Sequence, residues 1–459
     1  MGKRLMLLLV FALVLGLVIP AYAEVQNIKV SGDITMYGIS RDGFNMGDTT
    51  IKADDTESHA ATIARLRIDA DLTENVGATL RLINERDWDA EAASTSEIVV
   101  DLASITLKEF LYSPLTLTLG RQELHFGNDF IVGDPDANNN AAGTTLTDFD
   151  LSSKKAFDAV RGTLNYDPLV LDLFWAKIDE NTVLGTNTNP EKDDIDLFGI
   201  NARYDFGGKW KTIGETYYFG KIDNSVRDTN AAISPTGANI NKKATRIHTV
   251  GVRGEVTPTP RLNLQGETAY QFGTYNDGAN STLNNSKVSA WAAQGIATYA
   301  LNMKYSPVLM AIYSVYSCSD SGSAAHSWDP MFENQTSGHI INVLFNATQS
   351  QVLNLRGSIV PAEDLKLTLD YVWLNLSNDL DANSVLINTR NPSHVAHTNA
   401  YSGNRHLGDE IDLTLTYDYT ADVQLGLMAG YFRPGQAFAV SDHRFGDVKE
   451  AIASIKVSF

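Results

Sequence analysis

The amino-acid sequence predicts an all-β fold, a single transmembrane antiparallel up-and-down β-barrel of about 18 strands. Three observations support this prediction. The N-terminus has the pattern of an export signal, apolar and polar side chains alternate along most of the chain, and long and short connections alternate between these segments. We therefore divide the 459 residues into a signal peptide at 1–23 and an outer-membrane β-barrel at 24–459.

The first 23 residues carry the export pattern. Lys3 and Arg4 precede an apolar run, Leu5–Ile19, which is followed by Pro20 and by the small-x-small sequence Ala21-Tyr22-Ala23. This order predicts cleavage by signal peptidase after Ala23. An uncleaved anchor is the alternative, although the apolar run is short for a membrane span.

The composition excludes several classes of protein. Hydrophobic residues make up 43% of the chain and charged residues 20%, which excludes global disorder. No second long apolar run follows the first, which excludes a polytopic helical membrane protein. The net charge is -19, which argues against a nucleic-acid partner. The single cysteine, Cys318, excludes an intramolecular disulfide and a cysteine-based metal site.

Period-two alternation is clearest in the last segment. Ala451, Ala453, Ile455, Val457 and Phe459 share one face, and polar residues occupy the other. Eighteen segments follow this rule to some degree. We expect strands near 28–41, 59–73, 76–88, 97–112, 114–124, 157–167, 169–180, 194–206, 208–222, 244–257, 260–275, 287–305, 307–318, 350–360, 365–376, 409–420, 423–433 and 449–459.

Three of these segments, 208–222, 287–305 and 307–318, alternate poorly. The apolar stretch 339–346 lies in a connection and predicts either an extra strand or a short inserted helix.

The connections place all long loops at one end of the sheet and all short turns at the other. This is the layout of an outer-membrane barrel, in which a sheet must close because lipid offers no hydrogen-bond partners to the backbone. A soluble all-β repeat, sandwich or propeller would also have short strands with turns between them, but it does not predict the alternation of loop length. Closure requires the last strand to pair with the first, joining Ala451–Phe459 to Ile28–Arg41.

Strand parity directs a set of charged side chains into the lumen. Near mid-strand, arginines are more frequent than acidic residues. Because the forked guanidinium group suits carboxylates, we expect the lumen to favour anionic solutes. In the alternative, the arginines pair with lumen acids and only stiffen the wall. The candidate pore-lining residues from parity are Arg67, Arg81, Lys108, Arg161, Arg203, Arg253 and Arg356.

An 18-strand barrel is too wide for its own wall side chains to fill. A selective channel therefore needs an inward-folded segment, and the loop 125–156 is the best candidate because Gly133-Asp134-Pro135-Asp136 has turn chemistry. Asp134 and Asp136 also have the oxygen ligands that Ca²⁺ prefers, and the loop histidines His394, His397 and His406 have metal-binding side chains. Their spacing matches no established motif, so we expect no metal and no cofactor.

Two runs of sequence resemble the alginate export family of outer-membrane porins. The first contains Gly120-Arg121-Gln122-Glu123-Leu124, then Phe126-Gly127 and Val132-Gly133. The second is Phe157-Asp158-Ala159-Val160-Arg161. The resemblance implies an 18-stranded barrel that passes an anionic polysaccharide or a related solute through an arginine-rich channel.

By position, the resemblance implies that Arg121, Glu123 and Arg161 line or brace the constriction. Alternation with Leu115, Leu117 and Leu119 would instead direct Arg121 at lipid. A bulge at Gly120 would turn it inward, or it lies above the lipid band.

The function predicted from these features is passive transport of anionic solutes, such as the polysaccharide alginate, across the outer membrane of a Gram-negative bacterium. A general non-selective porin and a structural barrel that sheathes a partner, such as an electron-transfer conduit, are the alternatives. The chain lacks the G-x-S-x-G, H-E-x-x-H and P-loop patterns, so an enzyme is not expected. Expected partners are outer-membrane lipid and the barrel assembly machinery, for which Phe459 is the candidate signal. The oligomeric state stays open.

Overall fold

The chain forms a closed antiparallel β-barrel of 18 strands in a computed structural model. The predicted fold class is confirmed. The predicted signal peptide at 1–23 lies outside the described residues. Within the described ranges, no helix has both the length and the apolar character needed to cross a membrane. The structure describes residues 27–44, 56–88, 97–136, 146–179, 194–224, 244–276, 286–318, 326–378, 404–438 and 446–459.

The strands follow one another around the barrel in chain order, with one short helix between β13 and β14. Their bounds are β1 Asn27–Asp42, β2 Glu57–Thr73, β3 Val76–Asp87, β4 Val99–Leu107, β5 Leu115–Glu123, β6 Ala156–Asn165, β7 Leu169–Asp179, β8 Ile195–Gly207, β9 Thr212–Asp223, β10 Thr245–Thr259, β11 Leu262–Tyr275, β12 Ser286–Ala300, β13 Val308–Tyr316, α1 His339–Leu344, β14 Ser350–Ala362, β15 Leu365–Leu376, β16 His406–Asp418, β17 Val423–Pro434 and β18 Val448–Ser458.

The barrel closes between the first and last strands, as the sequence predicts. β1 pairs with both β2 and β18, and the β1–β18 register runs from Asp33 opposite Ser458 to Asp42 opposite Lys449. Each strand therefore has a partner on both sides, which leaves no open sheet edge for lipid to solvate. The short turns all lie at one end, so the other end carries the longer connections.

Side chains alternate across the wall in the sense expected for a membrane barrel. Leu413, Leu427 and Ile455 are exposed on the outer face, whereas Asp412 and Glu450 are buried on the inner face. The exposed apolar face is the surface that lipid covers, and the polar groups point into the lumen.

Two connections fold into the upper lumen and pack against each other. Residues 124–136 follow β5, and residues 326–349 precede β14. Val132 and Phe332 form a parallel β-bridge between them. The Gly133 N–H donates to the Phe332 carbonyl at 2.7 Å, and the Phe332 N–H donates to the Ile131 carbonyl at 3.0 Å. The first connection belongs to the loop that the sequence marked for inward folding. The second was not anticipated as a plug, and its stretch 339–346 contains the helix α1 rather than a strand.

The inward segments are held by apolar wall side chains. Phe126 stacks on Phe174 of β7 with ring centroids 5.0 Å apart, and Phe130 stacks on Tyr316 of β13 at 5.8 Å. One continuous buried cluster joins both segments to the strands behind them. We call residues 124–136 and 326–349 together the plug.

Candidate functional site

The candidate site is the charged inner wall beside the plug. Arg161 on β6 contacts Asp172 on β7, with 2.8 Å between Nε and Oδ1. Arg356 on β14 contacts Asp370 on β15 in the same way, with 2.7 Å between Nε and Oδ1. Since both pairs join adjacent strands on the lumen side, each arginine is fixed to the wall at mid-strand.

Arg253 and Arg203 share a wall acid. Arg253 Nη1 donates to Glu215 at 2.8 Å, and its Nη2 donates to Glu255 at 2.7 Å. Arg203 approaches the same Glu215 at 3.9 Å between Nε and Oε1. Arg253 is buried and Arg203 is partly exposed. The Arg203 guanidinium is therefore accessible to a solute, whereas that of Arg253 is largely covered.

Arg81 is buried against two carboxylates. Its Nε donates to Asp101 at 2.5 Å, and its Nη2 donates to Glu123 at 2.6 Å. Asp101 sits where the β3–β4 register shifts, so it is the extra residue of a bulge. The contact between Arg81 and Glu123 therefore joins β3 to the end of β5.

Arg67 lies lower on β2 and pairs with Asp69 of the same strand. The two groups meet through Nε at 2.8 Å and Nη2 at 3.0 Å. Both side chains are partly exposed, so this pair faces open lumen rather than the plug.

The expectation that Arg121 lines the pore is wrong. Arg121 lies opposite Asp158, and its Nη1 donates to that carboxylate at 2.9 Å. Phe157 and Ala159 are both buried in the lumen cluster, so Asp158 between them faces outward. The β5 register continues through Gly120 without a bulge, which leaves Arg121 on the outer side of the wall near the loop end of the strand.

Lys108 also departs from its expected place. The sequence extended the fourth strand to residue 112, but β4 ends at Leu107. Lys108 is exposed in the short turn that follows, with its N–H donating to the Asn75 carbonyl at 2.8 Å. Lys108 therefore belongs to the turn at the lower rim and not to the mid-lumen.

The plug is tied to this wall through Arg253. Its Nη2 donates to Asn128 Oδ1 at 3.2 Å, and Asn128 Nδ2 donates to Gln265 at 2.7 Å. From the second plug segment, Gln335 accepts a hydrogen bond from Gln294 of β12 at 2.7 Å. Gly127 has a φ of +60°, and a side chain there would crowd Arg253. The loop can approach this closely because residue 127 is glycine.

The helix α1 is held by a buried carboxylate of the wall. Glu410 accepts the Ile340 N–H at 2.8 Å on one oxygen and the Ile341 N–H at 2.7 Å on the other. No local sequence pattern predicts this contact, because Glu410 fits the polar face of a strand and its partners lie in a distant connection.

The segment 146–155, which leads into β6, is held by ion pairs and hydrogen bonds near the β1–β18 pairing that closes the barrel. Arg41 of β1 pairs with Asp148, with Asp150 at 2.8 Å and with Glu450 of β18 at 2.7 Å. The Ser153 N–H donates to Glu85 of β3 at 2.7 Å. This segment therefore covers β18, β1 and β3 from inside, at the point where the barrel closes.

Three titratable groups of the connections have shifted pKa values. The hydrogen bond with Asp129 raises the pKa of His125. Burial, together with the negative charge of Asp134, raises the pKa of Asp136 to about 6. Burial raises the pKa of Asp148 despite the opposing effect of Arg41. All three groups therefore favour the protonated form more than they would in open solvent.

Asp134, one of the two carboxylates considered as calcium ligands, contacts other groups of the protein. Asp134 pairs with Lys155 and accepts the Asp136 N–H at 2.9 Å. Across the described ranges, no three His, Cys, Asp or Glu side chains come together as a metal site would require. His394 and His397 lie outside the described residues, and His406 contacts Asp409 at 3.0 Å.

Comparison with protein families gives one match over nearly the whole chain. The family described as alginate export matches residues 30–448. A comparison with curated protein sequences found no match.

Solved structures with a similar fold include outer-membrane proteins of Pseudomonas aeruginosa and Acinetobacter baumannii. OccK11 (OpdR) of Pseudomonas aeruginosa has a TM-score of 0.56 at 13% identity, with 95% of this chain and 96% of that chain covered. OccAB4 of Acinetobacter baumannii has a TM-score of 0.55 at 12% identity, covering 95% and 99%. Pseudomonas aeruginosa OccK2 (OpdF), solved in complex with glucuronate, has a TM-score of 0.55 at 11% identity, covering 95% and 99%.

Proposed function

The chain belongs to the alginate export family, and from that premise we propose that its outer-membrane channel passes anionic solutes, in particular carboxylated saccharides such as alginate. Passage is passive and runs beside the plug, along the arginines of the inner wall. The barrel, its family and its porin-like fold support the channel itself. The chemistry of the lumen supports the preference for anions.

One observation carries the preference for anions: at three wall pairs the arginine is more exposed than the acid it contacts. The Arg161 side chain is 27% exposed, whereas Asp172 is 6% exposed. For Arg356 and Asp370 the values are 34% and 4%. For Arg203 and Glu215 they are 41% and 5%. At these three pairs a solute in the lumen therefore meets the guanidinium group before the carboxylate, whereas Arg81 and Arg253 are more buried than Glu123 and Glu255.

The pairing leaves donors for a solute. Arg161 and Arg356 contact their wall acids through Nε. A guanidinium has five N–H donors, so the terminal nitrogens can still bind a carboxylate of a sugar. The wall acid holds the side chain in one place, which lowers the entropy lost on binding.

A sugar carboxylate is a reasonable occupant on chemical grounds. Alginate is a polymer of uronic acids, and the solved OccK2 relative was crystallised with glucuronate, which is also a uronate. The likeness to OccK2 is one of fold, and glucuronate is the probe that tests uronate binding by this chain.

A general porin with little selectivity is the second candidate. It is favoured by Arg81 and Arg253, which are buried in ion pairs and act as braces of the wall. A sheath around a partner protein is disfavoured, because the plug occupies lumen space that such a partner would need.

Ion selectivity in planar bilayers separates these candidates. The test compares wild type with an Arg161→Gln, Arg203→Gln, Arg356→Gln triple variant, and the control is Arg121→Gln on the outer face. We expect anion selectivity in a salt gradient and block by glucuronate in wild type and control. The triple variant should lose selectivity and bind glucuronate at least about tenfold more weakly, since a hydrogen bond to a charged group contributes about 1.5–3 kcal/mol. Equal selectivity in all three proteins would instead identify a general porin.

A further inference from the structure

We propose that the outer face of β9–β12 binds a phosphorylated glycolipid of the outer leaflet, with Arg246, His248 and Lys287 at the phosphate. This site lies on the lipid side of the wall and is independent of the solute path. It joins three features on the same four strands: basic groups near the loop end that have no ion pair among the described residues, a set of stacked rings and an apolar groove beneath the rings.

The basic groups lie in register on the outer face. Arg246 of β10 is opposite Thr274 of β11, and Thr274 is opposite Lys287 of β12. Arg246 and Lys287 are both exposed and lie one residue inside the loop ends of their strands. Two strand spacings separate their backbones by roughly 10 Å, which both long side chains can span to reach one phosphate.

The charge of this patch is uncompensated within the described strands. The outward positions of β9–β12 carry no Asp or Glu among the residues that the structure describes. Two basic residues elsewhere on the outer face, Lys177 and Arg121, have acids beside them. Lys177 contacts Asp194 at 2.5 Å and Asp196 at 3.1 Å, and Arg121 contacts Asp158 at 2.9 Å. In a protein with a net charge of -19, a pair of neighbouring basic groups without acids on these strands fits an anionic ligand.

Aromatic rings lie directly below the basic groups. The His248 ring lies between Tyr218 and Phe272, with ring centroids 5.9 Å and 5.4 Å away. The Tyr218 hydroxyl is 2.8 Å from His248 Nδ1, which fixes the ring and leaves Nε2 available. Phe198 extends the row beyond Tyr218, and Tyr270 stacks on Phe272 from below on the same strand. Rings at this level mark the boundary between lipid and water.

A groove continues from the rings toward mid-membrane. It has a volume of about 400 Å³ and is lined by Val250, Val252, Tyr270 and Trp291, among others. Val250 and Tyr270 lie two residues below His248 and Phe272 on the same face. An acyl chain in this groove would place its headgroup at the rings and its phosphate at Arg246. The occupant is therefore a lipid rather than free phosphate, which would leave the groove uncovered.

Lipid adducts of the detergent-solubilised full-length protein, counted by native mass spectrometry, test this site. The probe is a purified phosphorylated glycolipid of the outer-leaflet type, compared with its dephosphorylated form. We expect wild type to retain the phosphorylated lipid about tenfold more strongly than an Arg246→Gln, Lys287→Gln double variant. The control Lys177→Gln, which also removes an outer-face charge, should bind as wild type does.

Two results would overturn the proposal. One is equal retention of the phosphorylated lipid by wild type and double variant, both shown to be folded by their heat-modifiable mobility. The other is full competition by millimolar inorganic phosphate, which would identify a general anion site. Ion selectivity of the channel does not enter this test, so its outcome is separate from that of the proposed transport function.

Discussion

Gly32 and Phe459 exchange both of their backbone hydrogen bonds and so complete the closure of the barrel. The Gly32 N–H donates to the Phe459 carbonyl at 2.8 Å, and the Phe459 N–H donates to the Gly32 carbonyl at 2.9 Å. A β-carbon on Gly32 would lie 2.8 Å from the Phe459 ring, so the ring lies over this glycine. The last residue therefore extends the β1–β18 ladder by one more pair.

Deleting Phe459 should reduce the amount of folded barrel in the outer membrane. The loss of two hydrogen bonds and a ring contact at the seam costs about 1–3 kcal/mol. If the terminal ring is also the assembly signal, Phe459→Ala should reproduce most of the loss, because it keeps the backbone pair. The measurement is heat-modifiable electrophoretic mobility of the membrane fraction, with Val457→Ala as the control. If the deletion variant shows as much folded barrel as wild type, Phe459 contributes neither to barrel closure nor to recognition by the assembly machinery.

Phe332→Ala should open the channel without unfolding the barrel. Phe332 is buried, bridges to Val132 and packs edge-on against Phe157 at 6.3 Å between centroids. Removing a buried phenylalanine costs about 3–5 kcal/mol, and here the loss falls on the contact between the plug segments. The wall ladder has no part in this contact, so it should persist.

Single-channel conductance measures the effect of Phe332→Ala. We expect larger and noisier openings than in wild type. Tyr313→Ala removes an exposed aromatic side chain of the outer face and serves as the control, with wild-type conductance expected. Unchanged conductance in Phe332→Ala would mean that the plug does not narrow the path.

The first plug segment should be held more firmly at low pH. Asp136 has its pKa raised to about 6 by burial and by Asp134, so its protonated form stabilises the inward position. That stabilisation is fully present below the unfolded pKa near 3.9 and is lost as the pH rises through about 6. His125, whose pKa is raised by Asp129, loses its charge and its ion pair in the same direction.

Conductance recorded from about pH 4.5 to 7.5 checks this pH dependence. Wild type should show more frequent fluctuations as the pH rises. Asp136→Asn cannot ionise and should flatten most of the change, whereas Asp158→Asn on the outer face should leave it as in wild type. A response that is identical in wild type and Asp136→Asn would assign it to other groups.

The strands were predictable because period-two alternation is a local property of the chain, and its failures have a structural reason. Tyr217 and Phe219 of β9 face the lumen but are apolar, since the plug covers them. Ala290 and Ala292 of β12 are buried in the same cluster. Where the plug lies against the wall, both faces of a strand are apolar and the alternation weakens.

The site was predictable only in part. Parity predicts that Arg161 and Arg356 face the lumen, and each contacts a wall acid of the adjacent strand. Parity cannot tell which member of each pair is the more exposed. That order depends on tertiary packing. The contact of Val132 with Phe332 joins two connections that are distant in sequence, and no local pattern encodes it.

Glu410→Gln should release helix α1 from the wall. Both carboxylate oxygens accept backbone N–H groups, from Ile340 and Ile341, and Glu410 is fully buried. An amide has only one acceptor oxygen, and its NH₂ would face one of these donors. A buried N–H left without its acceptor costs about 2 kcal/mol, which raises the frequency of local opening about thirtyfold.

Hydrogen exchange of the amides of His339–Leu344 measures this opening directly. Faster exchange should be confined to the plug, because the β16 ladder keeps its register with β15 and β17. The neighbouring Ile411→Ala changes an exposed side chain on the lipid face and should leave exchange in α1 unchanged. If exchange in α1 is as slow in Glu410→Gln as in wild type, the apolar contacts of Ile340, Ile341, Val343 and Leu344 hold the helix by themselves. The carboxylate would then serve only to satisfy the helix N–H groups.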